Sequence, residues 1–548
     1  VFSCLKQLCS TMRNPILQAW TLAAVCVAAV SIIFFNRTPL NFAYFYFPDD
    51  AFFYNIIARN ILAGLGPTSD GIAITNGFHP LWLGCVTLIT AVFENALGAE
   101  LLLQFIIAIA VFSCMAVYAA RYLPRWICMG MIIVCSVSTS YLRILVSGME
   151  TGLAMLLLLT TLLLAARFFS DTADTKTKIL LSLSLTLLLF ARLDGGLFWI
   201  AFCVVFFLAE FKPPMAPGKK ASAIAAIFAV PSLCAAAYFA YNYMTFGLGM
   251  PVSGYIKAYS LEQLLSADPI GYFERAYLKL CALYTDAFIQ LLVERGARFF
   301  LAEKPASFQT PVFLTITGII IFSLYSLRKG KILDKSLSVF IAYTLLHTFY
   351  YVFLQNDTYS LSWANGPELF LVSLSCAATA AQLFRRFSGS RNFRAAVLAI
   401  LFILAARHNF YSRWNPETLL HDFAISTKDF NAAVQHIQDT VSENAVIASC
   451  NIGFLGYLSH RKTMSTDGLL NSYEYFRDYK TRNKTLDYLN RHGIKHIAEV
   501  IPKNREILAY LAERYPGLRE ADIKKLLVFT DEKETASDGR RYIFVLLR

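Results

Sequence analysis

Charge is what this chain has little of. Asp, Glu, Lys and Arg make up 16% of its 548 residues, against about 25% in an ordinary soluble protein. No G-x-G-x-x-G or P-loop pattern opens a helix, which argues against a nucleotide-binding domain. Most of the 12 cysteines, such as Cys26, Cys85, Cys135, Cys203 and Cys376, fall in or beside apolar runs, with neither zinc spacing nor a disulfide framework. The excess of basic over acidic residues forms no stripe with interleaved aromatics, so a nucleic-acid partner is excluded. The first apolar run, Ile16 to Phe35, lacks a small-residue cleavage site and follows Lys6 and Arg13. It reads as an uncleaved first helix whose N-terminus lies in the cytoplasm.

What the chain does have is oil. Hydrophobic residues reach 57% and mean hydropathy is +0.51, the composition of a polytopic α-helical membrane protein. Further apolar runs lie near 80–96, 101–120, 127–146, 151–169, 179–193, 195–210, 221–246, 309–327, 336–355, 366–384 and 394–408. Basic loops mark the cytoplasmic side, here RYLPR (121–125), FKPPMAPGKK (211–220), RKGKILDK (328–335) and RRFSGSRNFR (385–394). With both the N-terminus and Arg121/Arg125 inside, the two runs between 80 and 120 supply one net crossing. The run after HPLW is therefore read as re-entrant or interfacial, which leaves about eleven crossings. A transmembrane domain then covers 1–408. The first external loop is 37–79, and SGME (147–150), ARLDG (191–195), the segment 247–308 and everything after Asn409 also fall outside. Residues 409–548 turn soluble: NAVIAS, IKHIAEV, KLLVFTD and RYIFVLL read as strands between helical patterns, a small extracytoplasmic α/β domain.

Five polar clusters fall on that outer side. Asp49 and Asp50 precede FFYNIIARNIL, a helix suited to the membrane interface; one of the two aspartates is also a candidate cap for it. In TNGFHPLW, Pro80 makes a turn that presents Asn76 and His79, with Trp82 as an interfacial aromatic. In SGMETG, Glu150 opens an apolar run, either as a helix-terminal charge or as a site residue. In ARLDGG, Arg192 and Asp194 sit between apolar runs, where ionisable groups pair or serve a site. In FGLGMPVSGYIKAYS, Lys257 and Ser253 follow a Gly-rich exit from a helix; the ammonium suits a phosphate or simply snorkels. Outside the cytoplasm transfer chemistry needs a donor activated through the lipid phase, and a polyprenyl-phosphate sugar meets that need. A carboxylate would take the acceptor's proton and cations would hold the departing phosphate.

FPDDAFFYNIIARNILAGLG, ITNGFHPLW, SGMETGLAMLLL, ARLDGG and MPVSGYIK, in that order, resemble a bacterial branch of the GT-C superfamily of integral-membrane glycosyltransferases. Protein O-mannosyltransferases, the lipid A aminoarabinose transferase and mycobacterial arabinofuranosyltransferases belong to it. The resemblance spans residues 40–260, with a looser echo in GFLGYLSHRKTMSTDGLLNS (453–472). It implies a multi-pass enzyme of the bacterial cytoplasmic membrane, an acidic motif in the first external loop and an inverting hexosyl- or pentosyl transfer from a polyprenyl-phosphate sugar to a cell-envelope glycan, lipid or protein. Asp49 and Asp50 match that motif as the catalytic pair. Lys257, Arg192, His79 and Ser253 are the expected phosphate-binding residues, and Asn76, Glu150, Asp194 and Arg59 the expected substrate contacts. No cofactor is required by these residues, although a divalent metal is compatible with them. The WWDYG motif of oligosaccharyltransferases is missing. A flippase would favour charges at mid-helix and internal repeats; a binding scaffold would leave the acidic and basic clusters idle.

Overall fold

The computed structural model describes residues 47–138, 141, 144–170, 174–210, 224–258, 269–292, 306–330, 333–355, 364–385, 390, 392–398, 400–401, 427–502, 505–529 and 540–548. The first apolar run and the loop 211–220 lie outside them, as does part of each of the basic loops 328–335 and 385–394. The described chain is mostly helical with one small sheet. Among the described residues five helices are long and apolar enough to cross a membrane: Ala96–Ala119, Thr151–Phe168, Ile227–Phe246, Thr310–Lys329 and Lys335–Leu354.

The chain divides into two compact units. The first takes Leu101–Ala235 and Ala258–Trp414, together with Val1–Thr38, which the description does not reach. The second takes Pro39–Glu100, Ala236–Lys257 and Asn415–Arg548.

Numbered through the described residues, the helices are α1 (Asp49–Leu62), α2 (Pro80–Val92), α3 (Ala96–Ala119), α4 (Arg125–Val137), α5 (Thr151–Phe168), α6 (Thr175–Ala191), α7 (Gly195–Glu210), α8 (Val230–Phe246), α9 (Val252–Lys257), α10 (Pro269–Leu292), α11 (Ala306–Lys329), α12 (Lys335–Phe349) and α13 (Gly366–Leu383). In the first unit α5 packs along α6, joined by the Thr161–Ser184 hydroxyl pair (2.6 Å). α7 packs along α12, with Phe198 edge-on to Tyr343. Asp334 caps α12 by accepting from the Leu337 amide (2.9 Å), and it also receives Arg121 (2.8 Å) and the Tyr122 hydroxyl (2.9 Å). That bridge holds two of the basic loops at one end of the bundle. Tyr351, just past α12, stands sixteen residues after Lys335, roughly 24 Å along the axis.

The second unit carries α14 (Thr427–Thr440), β1 (Val446–Ser449), α15 (Ile452–Ser459), β2 (Lys462–Ser465), α16 (Thr485–Arg491), β3 (His496–Pro502), α17 (Ile507–Arg514), β4 (Ile523–Phe529) and β5 (Arg540–Leu547). The sheet order is β2-β1-β3-β5-β4, with β1 parallel to both β2 and β3, and β5 antiparallel to β3 and β4. Ala448, Met464, Ile497, Val545, Tyr488 and Leu511 belong to the core around it. The four strands expected from the sequence are present. The fifth, β2, has only four residues and lies inside the stretch 453–472.

α1 does not present one apolar face to a lipid surface, as its sequence suggests: residues 51–58 are all buried. Asp49, Phe52, Ile56 and Arg59 recur at helical spacing and meet α15. Phe52 lies 4.2 Å from the Phe454 ring and 5.0 Å from that of Tyr457. The Arg59 guanidinium stacks 4.0 Å over Tyr457 and donates to its carbonyl (2.9 Å). Trp82, expected at an interface, is fully buried. α2 is 13 residues long, roughly 20 Å, which is short of the ~30 Å hydrocarbon core.

Phe52→Ala removes the ring that fills the α1–α15 contact. Thermal unfolding of the purified variant is expected to show a loss of about 3–5 kcal/mol; a loss below about 1 kcal/mol would mean that the helix is held some other way.

Candidate active site

Of the ten residues singled out in the sequence, seven lie in the second unit: Asp49, Asp50, Arg59, Asn76, His79, Ser253 and Lys257. Glu150, Arg192 and Asp194 lie in the first.

The two aspartates of the second unit are held differently. Pro48 is the N-cap of α1, so neither aspartate caps the helix it begins; both sit in its first turn, where the helix dipole favours a negative charge. Asp49 caps α15 instead. The Gly453 amide donates to its Oδ2 (3.0 Å) and the Phe454 amide to its Oδ1 (2.8 Å). These are two of the amides that a helix N-terminus leaves without an internal acceptor. Gly453 is required by the approach, because a Cβ there would overlap the Asp49 carbonyl oxygen. Enclosure of the carboxyl group pushes its pKa from the ordinary 3.8 up to about 7; the two amide bonds pull it down, and Asp50 and Asp467 add repulsion. A carboxyl group with a raised folded-state pKa favours the fold while protonated. That contribution is complete below the ordinary value and is lost as pH rises through about 7.

Asp50, partly exposed, faces the Lys257 ammonium at 3.8 Å. Lys257 ends the short helix α9, and Ser253 lies half-buried in its first turn. The turn before α9 is pinned by Asn76: its Oδ1 accepts from the Val252 amide (3.0 Å), and its Nδ2 donates to Asn242 (3.1 Å) and to the Met250 carbonyl (3.3 Å). Asn76 therefore supports the segment bearing Lys257. His79 is the extended residue before Pro80 at the start of α2, and its carbonyl accepts from the Leu83 amide (3.1 Å). The loop bearing Asn76 docks on the segment after β2, with Thr75 donating to the Asn471 carbonyl (3.1 Å). A Cβ on Gly77 would overlap the Leu469 carbonyl. There Asp467 accepts from the Ser465 hydroxyl and from the Leu469 amide (3.0 Å).

In the first unit Arg192 gathers the remaining two. Its Nη1 donates to Glu150 (2.7 Å) and Thr151 (3.2 Å), its Nε to Asp194 (3.2 Å), and its Nη2 to Asp194 (3.0 Å) and the Tyr351 hydroxyl (2.7 Å). Tyr351 in turn donates to Asp194 (2.7 Å). His347 Nε2 lies 3.5 Å from Asp194, and its Nδ1 lies 2.8 Å from the fully buried Glu368, which also accepts from Thr348 (2.9 Å). All three nitrogens of the guanidinium thus donate to neighbouring side chains, the geometry of a structural anchor joining α5, α6, α12 and α13. His347, Glu368 and Tyr351 were missed in the sequence. The signal was present: two ionisable residues inside the apolar runs 336–355 and 366–384. Among the described residues no group of three or more His, Cys, Asp or Glu side chains is arranged to hold a metal ion.

No protein-family model matches the chain, and no curated protein matches it in sequence. Solved structures do match in fold. ArnT from Cupriavidus metallidurans, bound to undecaprenyl phosphate, is similar at a TM-score of 0.56 and 9% identity, covering 95% of this chain and 97% of that one. The apo oligosaccharyltransferase of Archaeoglobus fulgidus is similar at 0.54 and 11%, covering 89% and 70%. AglB from the same organism, in complex with an inhibitory peptide and a dolichol-phosphate, is similar at 0.51 and 13%, covering 88% and 69%. The GT-C resemblance carried by the sequence motifs therefore holds at the level of the fold.

Arg192→Met would leave buried carboxylates facing one another without their cation. A loss of about 3–5 kcal/mol is expected, read as a collapse of the monodisperse peak in size-exclusion chromatography of the solubilised protein. A variant that stays monodisperse at the wild-type unfolding temperature would remove the anchoring role.

Proposed function

We propose that the chain is an inverting glycosyltransferase that moves a sugar from a polyprenyl-phosphate donor to a hydroxyl acceptor of the cell envelope, on the outer face of the cytoplasmic membrane. The observation that carries this reading is the division of work between two adjacent carboxylates. Asp49, aimed by two backbone amides and titrating near neutrality, suits a general base working at neutral pH. Each carboxylate oxygen has lone-pair capacity beyond one amide bond, so Asp49 can accept the acceptor's proton without leaving its cap. Asp50 keeps Lys257 in place. A 3.8 Å pair is looser than a hydrogen-bonded one, and the ammonium can turn to a phosphate.

In the proposed reaction the acceptor oxygen attacks the anomeric carbon while its proton passes to Asp49. The bond between that carbon and the phosphate oxygen breaks with its electron pair going to the phosphate, and the configuration inverts. Lys257 stabilises the departing polyprenyl phosphate. Asn76 supports this arrangement through the turn before α9, and His79 and Ser253 flank it. Glu150, Arg192 and Asp194 hold the scaffold of the first unit. The fold likeness to a protein bound to undecaprenyl phosphate supports a lipid-linked donor. The absence of WWDYG favours transfer of a sugar over transfer of a whole glycan to asparagine. The sugar and acceptor follow from assay with a panel of radiolabelled undecaprenyl-phosphate sugars and membrane acceptors.

With a sugar from that panel, turnover is expected to rise about tenfold per pH unit below neutrality and to level above about 7, the value of Asp49. Asp49→Asn should lower kcat by roughly 10²- to 10⁴-fold while donor still binds. Asp50→Asn should lose less. Lys257→Ala should weaken donor binding by about 1.5–3 kcal/mol. Near-normal turnover by folded Asp49→Asn protein would defeat the assignment.

The membrane arrangement is tested separately. With α2 read as re-entrant and the α/β domain as external, Glu94→Cys and Lys484→Cys in a cysteine-free background are both expected to react with an impermeant thiol reagent added outside. Labelling of Glu94→Cys only after permeabilisation would turn α2 into a crossing.

A further inference from the structure

The amides that hold Asp49 belong to a turn which is itself held from beneath. β1 lies between β2 and β3, parallel to both, and its chain leaves the sheet at the point where the strand order diverges to either side. In open α/β sheets the crevice at such a point is where ligands bind. Here it lies under the turn Cys450–Asn451, which leads into α15. Glu499 of β3, 2% exposed, fills the place below that turn. Its Oε1 accepts from the Cys450 amide (3.3 Å) and from the Tyr515 hydroxyl (2.6 Å), and its Oε2 from the Cys450 thiol (3.1 Å). All three partners are donors to the carboxyl oxygens; burial pushes the pKa of Glu499 up, and the Arg514 guanidinium opposes that rise. The Asn451 amide completes the turn by donating to Ser449 Oγ (3.1 Å). Three and four residues on from Cys450 come the Gly453 and Phe454 amides, which hold the Asp49 carboxylate. Tyr515 is fully buried and closes the far side of Glu499.

We propose that Glu499 is a positioning residue for Asp49: it fixes the turn between β1 and α15, and through the turn's amides it sets where the Asp49 carboxylate points. The α/β domain thus takes part in the reaction by positioning the carboxylate. This rests on the reading of Asp49 as the proton acceptor, and two measurements keep the two claims apart.

The first measurement needs no substrate. Infrared titration of the solubilised protein follows the carboxylic band that disappears in Asp49→Asn, with a midpoint near 7 expected for the native chain. Glu499→Gln sets an amide group against donors and loosens the turn, weakening the bonds that favour ionised Asp49. The midpoint should rise by about half a unit or more. A midpoint unchanged within about 0.2 units would overturn the proposal.

The second measurement is a double-mutant cycle on turnover, with the undecaprenyl-phosphate sugar that the panel identifies. Glu499→Gln alone should lower kcat by about 10- to 10²-fold, as misplacement of a reacting group does, with KM for the donor unchanged. In the Asp49→Asn background it should lower kcat no further than about twofold, because both changes act through one carboxylate. An equal loss in both backgrounds would make Glu499 a merely structural residue and overturn the proposal. Should Glu499→Gln fail to fold, Tyr515→Phe, which deletes one donor and keeps the ring, must show the same pattern at smaller size; the absence of any midpoint shift there would overturn it too. A midpoint shift combined with normal turnover by Asp49→Asn would sink the base assignment, and with it the catalytic half of the proposal, while the positioning contact stood.

Discussion

The bond between one carboxylate and the start of a helix 404 residues further along the chain organises the second unit. A helix N-terminus leaves its first amides without internal partners and carries the positive end of the backbone dipole. An enclosed carboxylate lacks the water that would solvate it. Each relieves the other at the Asp49–α15 contact. Most of the docking described within this unit follows from it: the Asp49, Phe52, Ile56 and Arg59 face of α1 along α15, the glycine that lets the two backbones approach, and the loop 67–79 laid on the segment after β2. The opposing effects on Asp49 also explain its protonation. Amide bonds alone would make it a strong acid; enclosure and two further aspartates leave it near neutral.

The first unit uses charge in another way. Its buried network sets Glu150, Asp194 and Glu368 against one guanidinium and one imidazole, with Tyr351 and Thr348 supplying the remaining donors. Such a network gains little net stability over well-packed hydrophobes, but removing one member is costly because it strands another charge. Its value is geometric. Arginine's fork fixes the ends of α5 and α6 relative to each other and to the turn after α12, roughly 24 Å along α12 from the Arg121–Asp334 bridge at the other end. A guanidinium spent in this way makes a poor phosphate ligand, which is why the proposed phosphate role falls to Lys257.

Much of this was legible in the sequence, and what was not has physical causes. Apolar runs of membrane length, the helix 427–440 and four of the five strands follow from periodicity and composition alone. β2 escaped because KTMS holds a single apolar residue, whereas the equally short β1 stands in the apolar stretch NAVIAS. The Arg192–Asp194 pair is two residues apart and could be read directly as a candidate ion pair. The enrolment of Glu150, His347 and Glu368 depends on how α5, α12 and α13 pack, although each ionisable group inside an apolar run was already a marker. Trp82 and the apolar residues of α1 were read against a lipid surface, yet they are buried in protein; hydrophobicity does not distinguish the two destinations. One of the two aspartates was read as a candidate cap for α1; neither caps it, and Asp49 caps α15 instead. A cap supplied from 404 residues away leaves no local pattern such as the S/T-x-x-E box.

Adjacency gives the two aspartates their separate fates. Successive residues in a first helical turn point about 100° apart, so Asp49 and Asp50 reach different neighbours from nearly the same backbone position. Asp49 turns to the amides that open α15, and Asp50, also partly exposed, meets an ammonium. Desolvation raises the pKa of Asp49, and Asp50 faces the Lys257 ammonium. A single aspartate could satisfy only one of these environments. Two in succession let one short segment present a near-neutral proton acceptor beside a charged lysine, the two functions that transfer from a phosphate-linked donor requires at one place.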